Sequence, residues 1–589
     1  MNDMKKEKKL MLGNEAVARG LYEAGCTYVS SYPGTPSTEV TEYAADYPEI
    51  YAEWAPNEKV ALESALGASV AGARSFCGMK HVGLNVAADP LFICSYVGSN
   101  GGMIIGVADD PGMHSSQNEQ DSRHYAEAAK LPMVEPCDSA EAVQFVKTAY
   151  ELSEEYDTPF ILRLCTRVSH ARSLVELDDR VQPALRDYEK DPGKRVMMPG
   201  NAIRRHPVIE ERLLKLKALA EDCPLNRAEY SDGSKIGVIA SGTSYLYARE
   251  VFGDSASYLK LGLVYPLPDR LITDFAKKFE RVIVIEELDP VIENHCRALG
   301  LNVEGKNTLP ITGEFSQELI REKCLGQKPE YLELSEQLPA RPPVLCPGCP
   351  HRGMFYLFSK LGLYVSGDIG CYTLGAVKPL GAMDTTFCMG ASISALHGFA
   401  KVRGEDFAAK SVAVIGDSTF MHSGITGLID ITYNKGISTV VIMDNHITGM
   451  TGHQQNPTTG RTLKGEEVPE VIIEDICRAA GVAPEHIRIC DPNDLKQTEK
   501  VLKEELACPL PSVIIARRPC ALLKYVKAKP ALAVDTDKCR GCKACMRIGC
   551  PAISIVDGKA KIDATLCVGC GLCPQLCAFG AIGDAAKGE

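Results

Sequence analysis

The chain predicts a multidomain α/β protein of doubly wound parallel sheets, closed by a small cysteine-rich C-terminal module. Three observations carry this reading. Short apolar runs alternate with helical stretches over most of the chain, the pattern of a parallel sheet. Two of those runs, Ser411–Ile415 and Ser438–Met443, lead straight into polar loops, where open α/β sheets place ligands. The C-terminal segment holds eight cysteines in two nearly repeated runs. With 589 residues the chain exceeds one core, and about four domains are expected.

Residues 1–172 form the first α/β unit. Its segment 58–74, rich in Ala, Ser and Gly, reads as a buried helix, and 158–165 as a strand. Residues 173–232 are charged, lack clean periodicity and read as a linker with one helix near Ile209–Leu219. A second α/β unit, 233–335, opens on the strand at 235–244 and contains the buried strand 281–287. The third, 336–525, contains the two strands that end in polar loops, and 526–589 is the cysteine module. Apolar residues make up 45% and charged residues 24%, as in ordinary globular proteins. No segment approaches the ~18 uninterrupted apolar residues of a membrane span. A net charge of −12 argues against a nucleic-acid surface and suits a cytoplasmic enzyme.

The cysteine runs are Cys539-x2-Cys542-x2-Cys545-x4-Cys550 and Cys567-x2-Cys570-x2-Cys573-x3-Cys577. Disulfides would need an oxidising compartment, yet Met1–Lys9 leads into no apolar signal core, and zinc ribbons pair two CxxC units instead of tripling them. Triplets two apart can hold one iron–sulfur cube while the distant fourth cysteine serves the other, so a ferredoxin-like module with two [4Fe–4S] clusters is expected. Crossed ligation assigns Cys539, Cys542, Cys545 and Cys577 to one cluster and Cys567, Cys570, Cys573 and Cys550 to the other. The first run departs from the usual pattern by one extra residue before Cys550, and Ala578 replaces the usual proline after Cys577.

Gly416-Asp417-Ser418, followed after 25 residues by Asp444-Asn445, approaches the thiamine-diphosphate signature, in which hard oxygen ligands hold Mg²⁺ against a diphosphate. Asp417 and Asn445 supply such oxygens, and a carbonyl near Ile447 can complete the set. Ser418 and Asp444 depart from that signature, and two ordinary strand ends with polar loops remain the alternative. A thiamine enzyme also needs a dry carboxylate against the aminopyrimidine. Glu58, opening the buried small-residue helix, fits; so does a plain helix N-terminal carboxylate favoured by the dipole.

Together these motifs resemble a known family. Ser31-Tyr-Pro-Gly-Thr-Pro-Ser-Thr-Glu39, Glu53-Trp-Ala-Pro-Asn-Glu58, the run from Asp109 to Arg123, Cys346-Pro-Gly-Cys-Pro-His-Arg-Gly353, Gly367-Asp-Ile-Gly-Cys-Tyr-Thr-Leu-Gly375 and Gly416-Asp-Ser-Thr-Phe occur in order. The chain is thereby similar, over essentially its whole length, to the large (alpha) subunits of the indolepyruvate ferredoxin oxidoreductases, within the 2-oxoacid:ferredoxin oxidoreductases. The resemblance implies that 1–172 binds the aminopyrimidine, that 336–525 binds the diphosphate and that 233–335 is a transketolase C-terminal-like domain. It implies oxidative decarboxylation of an aryl-2-oxoacid with CoA to an acyl-CoA, the electrons passing to an external ferredoxin. It also implies a separate small beta subunit in an alpha2beta2 heterotetramer. A third, proximal [4Fe–4S] cluster would be held by Cys346, Cys349, Cys371 and Cys520; buried inert thiols are the alternative. Thr35 is expected to hydrogen-bond the substrate carbonyl and Arg123 to take its carboxylate, with a surface salt bridge as the alternative for Arg123. His114, His124, His351, His422 and His453 fall in polar loops near these motifs and read as structural or diphosphate-binding. A non-oxidative thiamine decarboxylase would use Asp417, Asn445 and Glu58 without the cysteines, and a bare electron-transfer scaffold would need none of the three. Aliphatic 2-oxoacids remain open as substrates.

Overall fold

A computed structural model describes residues 7–328, 330, 334–339 and 341–584. The chain divides into two compact units, residues 1–335 and 336–589. Among the described residues no helix is long and apolar enough to cross a membrane.

The first unit is built on a seven-stranded sheet in the order Leu263–Tyr265, Met133–Val134, Phe160–Cys165, Met103–Asp109, Ser75–Lys80, Tyr28–Ser31, Tyr51–Trp54. The six strands contributed by residues 28–165 run parallel, and Leu263–Tyr265 joins one edge antiparallel. Every residue of Met103–Asp109 and Phe160–Cys165 is buried, because helices cover both faces of a parallel sheet. A second sheet sets Arg281–Ile285, Ile236–Ser241 and Ala256–Leu261 parallel, with Arg227–Glu229 antiparallel at its edge. One continuous apolar core joins the two sheets, from Leu62 and Ile105 to Leu259 and Phe275.

The segment expected as a linker is more ordered than its charge suggested. It holds the strand Arg172–Glu176, paired with Lys8–Leu12, and a helix from Pro199 to Asp222. That helix buries Ile209, Leu216 and Ala220 at near-helical spacing, and Arg212 with them. The helix expected near Ile209–Leu219 is thus present and extends further at both ends; Arg212 donates to the carbonyl of Ser95 at 2.8 Å, a buried cation that interrupts its apolar stripe.

The second unit carries a six-stranded, wholly parallel sheet in the order Thr385–Thr386, Tyr364–Gly367, Ser411–Gly416, Thr439–Asp444, Ser512–Arg517, Ile487–Cys490. The cysteine module adds two antiparallel pairs, Leu532–Val534 with Ile582–Asp584 and Ile553–Val556 with Lys559–Ile562. Its core is not separate: Ile548, Ile553, Leu572 and Ile582 pack in one cluster with Phe355, Phe358 and Leu502.

Candidate active site

In both sheets the expected site residues gather at the carboxyl ends of parallel strands, where the chain leaves the sheet and backbone polar groups are freed. In the first unit Tyr28–Ser31 runs into the Tyr32–Pro36 loop bearing Thr35, which is half-buried. Asn14 pins this loop by donating to the Pro36 carbonyl at 2.6 Å. Glu58 opens the helix Glu58–Val70, whose N-cap Asn57 accepts the Val60 amide at 2.9 Å. The Glu58 side chain is buried and lies along Gly83, where a Cβ would come within 2.6 Å of its Oε1; only glycine leaves room for the carboxylate.

Lys80, at the end of Ser75–Lys80, had no signal beyond ending an apolar run. Its side chain is buried, its Nζ donates to the Ser115 carbonyl, and its Cβ would lie 3.0 Å from a Cβ on Gly34 of the Thr35 loop. No carboxylate pairs with it among the described residues, and burial, only partly opposed by Asp110, lowers its ammonium to about 8.

Arg123 is not available to a substrate. Both its guanidinium and the side chain of Asp121 are 1% exposed, and all three of its nitrogens are engaged within the protein. Nε and Nη2 fork onto Asp121 at 2.9 and 2.6 Å, Nη1 donates to Glu286 at 2.6 Å, and Nη2 also reaches the carbonyls of Glu287 and Asp289. Arg163 extends the network to Asp109 at 2.7 Å and Glu135 at 2.5 Å. The run from Asp109 to Arg123 is therefore a buried clamp. Asp109 accepts from Ser122, and Asp110 from Ser115, Ser116 and Thr166. His114 and His124 bond outward to Glu314 and Asp289.

In the second unit Asp417 and Asn445 leave neighbouring strands and are both buried. Thr458 donates to the Asp417 carboxylate at 3.3 Å, Thr448 to Ser418 at 2.8 Å, and the Ile447 amide to Asn445 Oδ1 at 3.3 Å. Asn456 links Thr448 and Thr458. Among the described residues no basic side chain pairs with Asp417. Burial, then the charge of Asp444, pushes its carboxyl up to about 7, an arrangement that a divalent cation would relieve. Asp444 itself is balanced by Arg517 at 2.6 Å, which explains why an aspartate is tolerated there. Gly416 has no room for a side chain: a Cβ would sit 2.7 Å from the ring of Tyr372. Buried His351 lies 3.4 Å from Asn445 Nδ2, and desolvation lowers it to about 4, keeping it neutral. His422 bonds Ser423, and His453 lies 3.9 Å from the Cys520 thiol. Asn456, Thr448 and Thr458 lie in an irregular loop that gave no sequence signal.

All eight C-terminal cysteines are free thiols. Cys550, Cys567, Cys570 and Cys573 line one small cavity, and Cys539, Cys542, Cys545 and Cys577 a second. Burial, and then the neighbouring thiols, push Cys573 up to about 12, so this thiol resists ionising without a cation to bind. Burial first, then neighbouring thiols of the same group, raise the others: Cys520 and Cys346 act on Cys371, Cys371 and Cys346 on Cys349, and Cys346 on Cys520. The Cys520 amide donates to the Asn445 carbonyl at 3.0 Å, which ties this third group of thiols to the Asp417–Asn445 loops. Both donor sets suit their groups: oxygen ligands for Mg²⁺ beside a diphosphate, thiolates for iron.

Two parallel sheets presenting such loops define a thiamine-diphosphate enzyme, and family models agree. Residues 19–214 match the thiamine diphosphate-binding domain of pyruvate flavodoxin/ferredoxin oxidoreductases, and 368–516 the C-terminal binding domain of thiamine pyrophosphate enzymes. Indolepyruvate oxidoreductase subunit IorA of Archaeoglobus fulgidus is 42% identical, over 98% of this chain and 97% of its own. The subunits of the same name from Pyrococcus horikoshii and Methanothermobacter thermautotrophicus are 39% and 40% identical, over 99% and 100% of this chain and 98% and 99% of theirs. The chain belongs to this IorA family, within the 2-oxoacid:ferredoxin oxidoreductases.

Proposed function

We propose that the chain, with a separate small subunit, carries out thiamine-diphosphate-dependent oxidative decarboxylation of aryl-2-oxoacids of the indolepyruvate and phenylpyruvate type. CoA takes the acyl group, and three [4Fe–4S] clusters pass the electrons to a ferredoxin. The observation that carries this reading is the grouping of twelve cysteines in three sets of four within the same compact unit as Asp417 and Asn445. A non-oxidative decarboxylase has no use for them.

Bound thiamine diphosphate supplies the electron sink for decarboxylation. Asp417, Asn445 and the Ile447 carbonyl would hold Mg²⁺, with Gly416 and Ser418 lining the diphosphate. Glu58 would hold the proton at the aminopyrimidine N1′. Burial keeps that carboxylate away from competing water. Thr35 would donate its hydroxyl to the substrate carbonyl oxygen. With Arg123 committed elsewhere, the substrate carboxylate falls to Lys80, the buried ammonium beside the Thr35 loop.

The test is anaerobic. The purified chain and its small subunit, supplied with Mg²⁺, thiamine diphosphate and CoA, are mixed separately with indolepyruvate, phenylpyruvate, pyruvate and 2-oxoglutarate while cluster absorbance is followed. Bleaching by the aryl acids alone is expected. Bleaching by pyruvate or 2-oxoglutarate instead would discard the aryl assignment, and CO₂ release without bleaching would favour the non-oxidative reaction.

Two variants test the residue assignments. K80M is expected to raise KM for the 2-oxoacid by ~10- to 100-fold, the loss of a charge-assisted hydrogen bond worth ~1.5–3 kcal/mol, with kcat less affected. In the wild type substrate affinity should fall as pH rises through about 8, because the ammonium that binds the carboxylate is then lost; an unchanged KM from pH 7 to 9 would remove Lys80 from the site. C550S and C577S should each abolish the electron paramagnetic resonance signal of one cluster and lower iron by about four atoms per chain. C550S should lose the signal that C567S loses, and C577S the one that C539S loses; the opposite pairing would refute crossed ligation.

A further inference from the structure

Arg352, in the first turn of the helix His351–Leu361 just after Cys349, is 2% exposed and reaches from one group of thiols to another. Its Nη2 donates to the carbonyls of Leu345 and Cys346, beside the proximal set, and its Nη1 to those of Ile548 and Gly549, at 3.1 and 2.5 Å, immediately before Cys550. The same side chain lines the apolar cavity of Cys550, Cys567, Cys570 and Cys573. No carboxylate pairs with it among the described residues, and its buried Nε–H has no acceptor there. The groups that act on its charge, after burial itself, are Cys550, Cys349, Cys570 and Cys346. Four carbonyls hold the guanidinium but do not neutralise it, so the nearest available anions are the cysteine thiolates of two different sets.

The extra residue in the first cysteine run belongs to this arrangement. The 3-10 turn Ala544–Ile548 ends on Gly549, whose φ of 67° lies in the left-handed region that glycine adopts readily. A Cβ there would lie 3.4 Å from Arg352 Nη1. The lengthened spacing before Cys550 thus supplies the turn whose last two carbonyls face Arg352.

We propose that Arg352 is a positioning residue for electron transfer: an uncompensated buried cation between the proximal cysteine set and the Cys550 set, which raises the reduction potential of the cluster held by Cys550, Cys567, Cys570 and Cys573. It thereby favours electron passage from the proximal cluster into the C-terminal module. Cluster potentials respond to nearby charge and to hydrogen bonds at sulfur, and in a dry cavity a fixed cation is poorly screened. The inference rests on the reading of these cysteines as cluster ligands.

The test is a redox titration of the anaerobic holoenzyme with its small subunit, followed by electron paramagnetic resonance, for wild type, R352Q and R352K, with iron counted in each. R352Q, with full iron, should shift one C-terminal cluster to lower potential by at least tenfold in its oxidised-to-reduced ratio, about 59 mV for a one-electron couple, and leave the other C-terminal cluster in place. R352K keeps the charge and should stay within about threefold of wild type in that ratio, the tenfold step again being about 59 mV. Unshifted potentials in an iron-replete R352Q would overturn the proposal. If R352Q loses iron, R352K decides: full iron at near-wild-type potential supports the charge role, whereas equal iron loss makes Arg352 a structural clamp only. Wild-type protein without iron would instead overturn the cluster reading itself.

Discussion

E58Q is expected to lower kcat by ~10²- to 10⁴-fold, the range of a positioned general acid–base group, while the protein stays folded. Glutamine keeps the shape of the side chain, so its contact with Gly83 and the start of the helix at Asn57 persist. What disappears is the carboxylate. If Glu58 served only as an N-terminal helix anion, its loss would cost ~0.3–1 kcal/mol of stability and nothing in turnover. The two roles therefore separate cleanly: thermal unfolding should move little, KM for the 2-oxoacid should change less than kcat, and exchange of the thiazolium C2 proton in the cofactor-loaded protein should slow along with kcat. A variant that turns over at the wild-type rate would remove Glu58 from the reaction and leave it a helix cap.

Much of this site was legible because its signals are local. A parallel strand buried on both faces is a run of apolar residues, and the polar residue that follows marks the carboxyl edge of the sheet; Ser411–Gly416 before Asp417 and Thr439–Asp444 before Asn445 show this directly. Cysteine triplets are local as well. Cys520 was reached only through its context, and the geometry that ties it to the Asn445 carbonyl spans elements far apart in sequence. Arg123 was misread for the same reason. Asp121 stands two positions away, but Glu286 and the Glu287 and Asp289 carbonyls lie more than 160 residues on, and nothing local distinguishes a saturated guanidinium from a free one. The helix Pro199–Asp222 was under-read because buried Asn201 and Arg212 interrupt its apolar stripe, and Pro207 lies inside it. Lys80 ends a strand as many exposed lysines do; burial, with no carboxylate partner among the described residues, sets it apart.

R123M should destabilise the protein by ~3–5 kcal/mol, because removing one partner of a buried ion network leaves the others charged and dry. Methionine fills much of the volume, so the loss is electrostatic more than steric. Asp121 would lose its two-pronged partner and Glu286 its only guanidinium contact among the described residues. Burial alone would raise Asp121, but the guanidiniums of Arg123 and Arg163 outweigh it and hold its carboxyl well below the usual carboxylate range. A depressed carboxyl contributes stability that is present above its unfolded pKa, ~3.9, and is lost as pH falls towards the folded value. In R123M the one guanidinium left beside Asp121 among the described residues is that of Arg163, at 3.7 Å, so acid unfolding should begin at higher pH than in the wild type. The double variant R123M/E286Q should recover part of the loss, since contacting residues are not additive. Denaturant melts at pH 7 check the stability loss and its partial recovery, and an acid titration of the fold from pH 5 downward checks the onset of acid unfolding. Had Arg123 bound substrate, the variant would keep its stability and raise KM; the buried network predicts a less stable protein whose folded fraction binds 2-oxoacid normally.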